Sequence, residues 1–320
     1  MAFVLCCAIL WRMLNSRHTL GLAWDKPNAR SLHVVTVPRV GGLALVPAVA
    51  MAWWWLGLAP SLMLLSMIAL AAISYIDDWR GLSAVIRFGA HTGTAALFVW
   101  NGYSVAGWWF VLLIVLALVW MINLYNFMDG ADGLAGGMAF FGFAVYGIAA
   151  IIAGASQLAA MSFSVAAAAL AFLFFNFHPA RIFLGDAGSV PLGFLAAAIG
   201  LQGWAGGLWP LWFTPLVFAP FVADATVTLV RRLLHGEKVW QAHREHYYQR
   251  LVRMGWGHRK TALAEYGLMI ASGILAVLLL HSPQLVQIIA LLAWCALLAL
   301  LMYLVDQRWR AYVMAMECGA

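Results

Sequence analysis

Carboxylates are scarce in this chain, and several of them directly follow long apolar runs. Asp77 and Asp78 end one run in "YIDDWRGL", Asp129 and Asp132 follow another in "NLYNFMDGADGL", and Asp186 stands in "FLGDAGS". Adjacent carboxylates repel each other, and an acidic pocket attracts a divalent cation. Because no compact group of Cys or His accompanies them, the oxygen ligands favour Mg²⁺ over zinc, with Mn²⁺ left open. These acids together are the candidate metal ligands, Asp186 and Asp78 among them.

The same segments carry Asn and Gly beside the acids. Asn123 and Asn126 precede Asp129 and Asp132, and all four are candidates for substrate binding. The glycines of "DGADGLAGG" and "LGDAGS" let the backbone pass close to a ligand, and we expect the amides of the following helices to face a phosphate. The sequence contains neither GxxxxGK[ST] nor GxGxxG. A P-loop and a Rossmann site are therefore excluded.

A basic segment, "WQAHREHYYQRLVRMGWGHRK", lies between residues 231 and 260. If "QAHREHYYQRLVRM" is helical, His243, His246, Arg250 and Arg253 share one face. That face could bind a diphosphate or stabilise a transferring phosphoryl group. The alternative is a basic segment that rests on anionic lipid. A zinc pair at the two histidines is disfavoured, because the segment is not HExxH and lacks a third ligand.

Other polar residues have less specific surroundings. In "DKPNARSLHVVTVPRVGG", His33 and Arg39 could face the same pocket or belong to an ordinary cationic loop. His178 is interpreted as structural. Asp224 lies inside an apolar run, where it could pair with Arg231 or line the cavity.

The composition predicts the fold class. Apolar residues make up 65% of the 320 residues, charged residues only 9%, and the mean hydropathy is +0.90. This is an all-α, polytopic membrane protein, a single helical bundle over residues 1–320. We predict about eleven transmembrane helices, ten if the short first one, interrupted by Arg12, does not span. They are 1–14, 41–58, 60–76, 84–100, 108–124, 138–153, 156–175, 189–203, 208–230, 261–280 and 284–305.

The charges fix the predicted orientation. All 18 Lys and Arg map to one set of alternate loops, or to the helix ends beside them. The opposite loops, such as "GLAP" and "AGASQ", contain no charged residue. By the positive-inside rule the charged side, including the C-terminus, is cytoplasmic. The net charge of +6 is explained by topology and anionic ligands, so no nucleic-acid partner is expected.

The orientation also brings the acids together. Three alternate apolar segments that run in the same direction end at or just before Asp77 and Asp78, Asp129, and Asp186. Their ends can therefore converge on one cytoplasm-facing pocket. A secondary transporter is the main alternative, but it would normally hold its acids near the middle of the bilayer. A non-catalytic scaffold is a second alternative.

Five blocks of sequence together resemble the polyprenyl-phosphate N-acetylhexosamine-1-phosphate transferases, membrane enzymes that initiate bacterial envelope polymers. The blocks are "DKPNARSLHVVTVPRVGG", "DDWRGLSAVIRF", "NLYNFMDGADGLAGG", "FLGDAGS" and "HREHYYQRL". They follow the family's order over residues 25–251. The last block resembles the branch that initiates O-antigen or related polysaccharides more than the phospho-MurNAc-pentapeptide translocases. His91 departs from the family, standing where Gln is common, and Ala131 replaces a bulkier residue.

The resemblance implies a reaction, its partners and its location. Undecaprenyl phosphate would react with a UDP-N-acetylhexosamine to give the lipid-diphosphate sugar and UMP, with Mg²⁺ as cofactor. The enzyme would be a multi-pass protein of the bacterial inner membrane with its active site on the cytoplasmic face. Formation of a homodimer is left open.

The resemblance also implies roles for individual residues. Asp186 would be the Mg²⁺ ligand, and Asp77 and Asp78 the essential pair, one of which accepts a proton from the lipid phosphate or orients it. An Asp could instead act as a covalent nucleophile in a two-step route. Residues expected near the nucleotide are Asn126, Asp129 and Asp132. Residues expected to face the diphosphate or the lipid phosphate are His243, His246 and Arg250.

Overall fold

Helices make up nearly all of the described chain, which in this computed structural model comprises residues 1–15, 24–25, 36–58, 61–103, 107–238 and 243–318. The helices are α1 (Ala2–Asn15), α2 (Gly41–Trp55), α3 (Leu62–Arg80), α4 (Ala84–Tyr103), α5 (Trp108–Phe127), α6 (Leu134–Ile152), α7 (Ser156–Asn176), α8 (Asp186–Ala205), α9 (Phe213–Val217), α10 (Ala219–Leu234), α11 (Tyr247–Leu251), α12 (Gly257–Leu279) and α13 (Gln284–Cys318). A π-helical turn, Val252–Trp256, joins α11 to α12. Two short strands, β1 (Trp24–Asp25) and β2 (Val37–Pro38), pair antiparallel.

The predicted membrane character is confirmed, but the number of spans remains a prediction. Each of the eleven predicted apolar segments contains helix. Within the described ranges, seven helical stretches are long and apolar enough to cross a membrane: α3, α5, α6, α7, α8, Tyr247–Leu279 and α13. Helices α1 and α2 are apolar but shorter. Apolar helices of this length satisfy every backbone group internally, which is what a bilayer requires.

The predicted continuous helix over 208–230 is wrong. The chain instead forms the short α9 and then α10, which meet at Phe218. Pro220 stands in the first turn of α10. Proline has no N–H to donate and its ring excludes the preceding turn of helix, so it favours a new helix start at this point. Helix α10 then runs only as far as Leu234, with Arg231 and Arg232 in its last turn.

Helix α8 lies at the centre of the bundle. It packs against α2, α3, α5 and α6, and almost all of its residues are buried. Glycine makes the closest approach possible, because a Cβ on Gly42 of α2 would overlap the backbone of Ala187 and Gly188. The side chains of Asp186 and its neighbours at the start of α8 are therefore held against other helices on several sides.

A backbone connection ties the β1–β2 hairpin to the start of α8. The N–H of Phe183 donates to the carbonyl of Pro38 at 2.9 Å, and the N–H of Gly41 donates back to the carbonyl of Phe183 at 2.9 Å. Arg39 and Phe183 form a parallel bridge. Arg39 is thereby fixed beside the turn that leads into Asp186.

One polar cluster near the end of the C-terminal helix α13 contacts other helices. The 35 residues of this helix extend over about 50 Å, and Asp306 is its one buried residue among those described. Arg231 donates two hydrogen bonds to Asp306, at 2.6 and 2.7 Å, and Arg250 donates a third at 2.8 Å. The Arg250 guanidinium also lies over the rings of Tyr247 and Trp309. This cluster joins α10, α11 and α13.

The orientation predicts where reporters will be active. A fluorescent protein fused after Ala320 should fluoresce, because the positive-inside rule places the C-terminus in the cytoplasm. Alkaline phosphatase at the same position should be inactive, whereas alkaline phosphatase inserted after Gly154, in an uncharged loop between α6 and α7, should be active. An active phosphatase at the C-terminus would overturn the eleven-span topology.

The Asp306 cluster predicts a loss of stability. Asp306→Ala should lower the free energy of unfolding by about 2 kcal/mol, since it leaves two guanidinium groups without their acceptor. Thermal unfolding in detergent measures the change. Gln307→Ala on the exposed side of the same helix is the matched control and should leave Tm unchanged. Equal Tm values for the two variants would contradict the assignment.

Candidate active site

The two neighbouring acids at the end of α3 have different partners. Asp77 accepts a hydrogen bond from the N–H of Leu82 at 2.6 Å and lies 3.3 Å from the guanidinium of Arg87. Asp78 accepts instead from the N–H of Ala187 in the first turn of α8, at 3.2 Å. Asp77 therefore closes the α3–α4 turn, and Asp78 joins α3 to α8.

Two arginines lie among the acids. Arg87 of α4 approaches the Oδ2 atom of Asp186 at 4.0 Å. Arg39 forms an ion pair with Asp25 at 2.9 Å and lies 3.9 Å from Asp78. These cations offset the mutual repulsion of the carboxylates. Arg39 was predicted from the sequence but Arg87 was missed, because its only signal is its place in "DDWRGLSAVIRF", nine residues after Asp78.

The amides at the start of α8 are already paired. The N–H of Ala187 donates to Asp78, and the N–H groups of Gly188 and Ser189 donate to the carbonyl of Gly185. The expectation that these amides face a phosphate is therefore wrong for this arrangement. Side chains, rather than the helix end, must supply the contacts to an anion.

The α5–α6 loop brings two more predicted residues to the same place. Asn126 donates to the hydroxyl of Ser189 at 3.2 Å and is within hydrogen-bonding reach of Asp186. The Asp129 carboxylate has no hydrogen bond or ion pair within the described residues. Burial, and next the charges of Asp186 and Asp78, raise the pKa of Asp129 well above its ordinary value. An unpaired carboxylate next to other acids is suited to bind a cation or a hydrogen-bond donor.

The acids are better suited to a Mg²⁺ ion that also binds waters and substrate than to a metal ion held by protein ligands alone. Within the described residues, no three Asp, Glu, His or Cys side chains lie close enough to hold a metal ion on their own. Mg²⁺ usually takes one or two carboxylates and completes its shell with waters and substrate phosphates. Within the described residues, the Oδ1 atom of Asp78 lies 3.9 Å from the guanidinium of Arg39 and the Oδ2 atom of Asp186 lies 4.0 Å from that of Arg87, both beyond hydrogen-bonding distance. These two carboxylates are therefore the candidate Mg²⁺ ligands.

Asn123 and Asp132 have other contacts. Asn123 donates to the carbonyl of Val119 within α5 at 2.7 Å. Asp132 lies 2.7 Å from the Nδ1 atom of His178, and its own N–H donates to the Nδ1 atom of His258 at 3.1 Å. His178, interpreted from sequence as structural, thus contacts a predicted substrate-binding residue. His258 was missed, since no local pattern links it to Asp132.

The basic segment is not one helix. Helix α11 begins at Tyr247, so His243 and His246 precede it, and the prediction of a single helical face from His243 onward is wrong. The two imidazole rings nevertheless lie 4.8 Å apart between centroids. Burial, and next His246 and Arg232, lower the pKa of His243 to about 4. His243 is therefore a neutral ring at pH 7.

Helix α11 rests on the acidic loop. The ring of His246 stacks on Phe127 with centroids 6.2 Å apart, and the hydroxyl of Tyr248 donates to the carbonyl of Phe127 at 3.0 Å. Gly130 makes room for this hydroxyl, because a Cβ there would overlap it. His246 therefore packs against Phe127, which precedes Asp129 by two residues in the sequence.

Arg250 is a predicted site residue that, among the described residues, does not contact the acids at the start of α8. The guanidinium of Arg250 is bound to Asp306 and stacked on aromatic rings, and no contact joins it to Asp186 within the described chain. His33 lies outside the described residues. Asp78, Asp129, Asp186, Asn126 and Arg39 are brought together at the start of α8.

A separate cavity of about 300 Å³ lies at the opposite ends of the same helices. Its polar lining includes Asn101, Gln157 and Gln202, and none of its lining residues is charged. The acids and the cavity are therefore at different ends of the bundle. The candidate active site is the acidic end.

Comparisons with known proteins identify the family. The family model for glycosyl transferase family 4 matches residues 61–203. The chain is 30% identical over 263 residues to the probable undecaprenyl-phosphate N-acetylglucosaminyl 1-phosphate transferase of Bacillus subtilis, covering 76% of this chain and 74% of that protein.

Two further relatives cover similar shares. The decaprenyl-phosphate N-acetylglucosaminephosphotransferase of Mycobacterium tuberculosis is 29% identical, over 80% of this chain and 74% of the relative. The phospho-N-acetylmuramoyl-pentapeptide-transferase of Chloroflexus aggregans is 28% identical, over 86% of each. The region that the family model matches contains the acids at the ends of α3 and α5 and at the start of α8. On these matches, the chain belongs to the polyprenyl-phosphate N-acetylhexosamine-1-phosphate transferase superfamily.

Proposed function

We propose that this protein transfers an N-acetylhexosamine-1-phosphate from a UDP-sugar to undecaprenyl phosphate and releases UMP. The step would be the first membrane step in the synthesis of O-antigen or a related envelope polysaccharide. The observation that carries the proposal is the contact between Asp78 of α3 and the start of α8 at Ala187. It brings two acidic segments together at one end of the bundle, where a diphosphate donor and a lipid phosphate could meet.

The relatives support the reaction class. The named relatives of Bacillus subtilis and Mycobacterium tuberculosis act on polyprenyl phosphates and on N-acetylglucosamine phosphate. The acids support it as well, because they lie at the ends of apolar helices, unlike the acids in the middle of the bilayer that a secondary transporter would use.

The reaction exchanges one phosphorus–oxygen bond for another. An oxygen of the lipid phosphate attacks the sugar-bearing phosphorus, and the bond from that phosphorus to the bridging oxygen breaks. UMP leaves with the electron pair. The second pKa of a phosphate monoester is about 6, so much of the acceptor is already a dianion at neutral pH. A strong base is not required.

Asp186 and Asp78 are the residues that would hold Mg²⁺ in this proposal. When bound, Mg²⁺ would neutralise charge on the donor diphosphate and favour in-line displacement. Arg87 and Arg39 would face the phosphates, since each lies about 4 Å from one of the two acids. Asp77 would hold Arg87 in place.

The loop residues would contact the donor. Asn126 and Asp129 are proposed to bind the nucleotide-sugar, and His246, which stacks on Phe127, would lie close to the reacting phosphates. The donor is a cytoplasmic metabolite and the acceptor resides in the bilayer. The site is therefore proposed to open at the cytoplasmic face of the inner membrane.

Removing the proposed metal ligand should abolish turnover. Purified protein with undecaprenyl phosphate, Mg²⁺ and UDP-N-acetylglucosamine should release UMP, and Asp186→Ala should reduce that release by about 100-fold or more. EDTA should have the same effect, and added Mg²⁺ should reverse it. Glu317→Gln, on an exposed part of α13, is the control and should retain activity.

A panel of UDP-sugars, read out by mass spectrometry of the lipid product, would identify the donor. Turnover by a folded Asp186→Ala variant in EDTA would contradict the metal assignment. Uptake of a solute into sealed vesicles without UMP release would favour the transporter instead.

The unpaired carboxylate of Asp129 predicts a gain in stability on its removal. Its pKa is raised in the folded protein, so above that pKa its charge favours the unfolded chain, and the destabilisation fades as pH falls and the group is protonated. In EDTA at pH 8, Asp129→Asn should therefore raise Tm by about 2 °C while UMP release falls. Asp132→Asn, which removes a carboxylate that has a His178 partner, is the control and should lower Tm. A lower Tm for Asp129→Asn would contradict the burial of an unpaired charge.

A further inference from the structure

Another buried carboxylate, Asp224 in α10, contacts the imidazole of His246. The Asp224 side chain is 5% exposed and that of His246 is 3% exposed. The Oδ1 atom of Asp224 lies 3.1 Å from the Nδ1 atom of His246 and accepts from the N–H of Tyr247 at 2.9 Å. The Oδ2 atom accepts from the N–H of Tyr248 at 3.0 Å. The sequence predicted that Asp224 pairs with Arg231 or lines a cavity, but Arg231 is bound to Asp306 instead.

The contact between Asp224 and His246 determines where the imidazole carries its proton. An ionised carboxylate accepts hydrogen bonds and donates none. In that contact the Nδ1 atom of His246 carries the proton, which in the neutral ring leaves Nε2 with a lone pair. The His246 side chain also accepts from the N–H of Gln249 in the first turn of α11, so this N–H competes with Asp224 for the ring. The charged carboxylate is the stronger partner, because hydrogen bonds to ionised groups exceed neutral ones.

The ring is fixed in orientation as well as in protonation. It stacks on Tyr248 with centroids 5.8 Å apart and on Phe127 at 6.2 Å. The neutral ring of His243 lies on a further side at 4.8 Å. With aromatic contacts on several sides and Asp224 on the edge, the His246 ring has one arrangement.

We infer that Asp224 is a positioning residue that holds His246 with a proton on Nδ1 and a free Nε2 beside the acidic loop. The inference rests on the proposed function, since it assigns Nε2 to the phosphates of that reaction. There Nε2 accepts the proton of the fraction of lipid phosphate that is still monoanionic, and the imidazolium that forms is balanced by Asp224. The proton passes to water after UMP leaves. An Asp paired with the Nδ1 atom of a catalytic His plays the same part in serine proteases.

A purely structural role for Asp224 has to be distinguished from this. The same carboxylate accepts the first two N–H groups of α11, so it also caps that helix. Loss of the cap would lower stability without a specific effect on His246. A decisive test must therefore report on the imidazole itself and on whether Asp224 acts through it.

The first measurement is the tautomer of His246. Protein labelled with ¹⁵N-histidine in lipid nanodiscs gives long-range ¹H–¹⁵N correlations that distinguish protonated from bare ring nitrogens, and His246→Gln assigns the signals. We expect a protonated Nδ1 and a bare Nε2 in the unmodified protein. In Asp224→Ala or, if that variant does not fold, Asp224→Asn, the ring signals should move. A bare Nδ1 in the unmodified protein, or ring signals that stay in place in a folded Asp224 variant, would overturn the inference.

The second measurement is a double-mutant cycle on kcat for UMP release. At pH 5.5, where most of the lipid phosphate is monoanionic, Asp224→Asn should lower kcat by about 10-fold with KM within about three-fold, and should cost less than three-fold more in a His246→Gln background. If the effects of Asp224→Asn and His246→Gln on kcat were additive, Asp224 would act only as a helix cap and the inference would be overturned. Thr228→Val is the control, because the Thr228 hydroxyl also donates to Asp224 at 3.1 Å but does not contact His246, and its kcat should be unchanged.

The two measurements separate the inference from the proposed function. If the unmodified protein releases no UMP with any UDP-sugar, the proposed function fails, and the ring signals alone then decide whether Asp224 fixes the imidazole. If UMP is released and the ring signals of the Asp224 variants do not move, the inference fails while the proposed function stands.

Discussion

Carboxylates from three segments of the chain repel one another at the start of α8, and the surrounding contacts offset part of that repulsion. Asp78 and Asp186 come from different helices and lie within each other's electrostatic reach, as do Asp129 and Asp186. Bringing such groups together costs free energy unless cations or N–H donors offset it. Arg87, Arg39 and the N–H of Ala187 supply part of that compensation. The remainder is left for a ligand, which is why a cation and phosphates fit this place.

The convergence of these acids could be predicted from sequence because it follows from the direction in which each apolar segment crosses the membrane. Apolar segments of membrane-spanning length alternate in orientation, so acids at the ends of α3 and α5 and after α7 must share one face. The helices themselves follow from the same apolar runs. The break at Pro220 was missed because hydropathy alone does not distinguish one long helix from two short ones.

The contacts that sequence could not predict join residues far apart in the chain. Asp306 binds Arg231 and Arg250, and Asp224 approaches His246, across separations that no periodic pattern encodes. The assignment of Arg250 to a phosphate-binding face depended on a helix that begins only at Tyr247. Residue type predicted a functional role for the basic segment, but the direction of each of its side chains is set by tertiary partners.

The backbone bridge between Arg39 and Phe183 has a consequence for biogenesis. Arg39 cannot form this bridge until Phe183 has been synthesised, and Phe183 leaves the ribosome long after Arg39. In a nascent chain that has inserted its early helices, the bridge must therefore stay unformed until α7 is complete. The acidic end of the bundle matures late, so a truncated product released before that point carries Asp77 and Asp78 of α3 without the start of α8 that contacts Asp78.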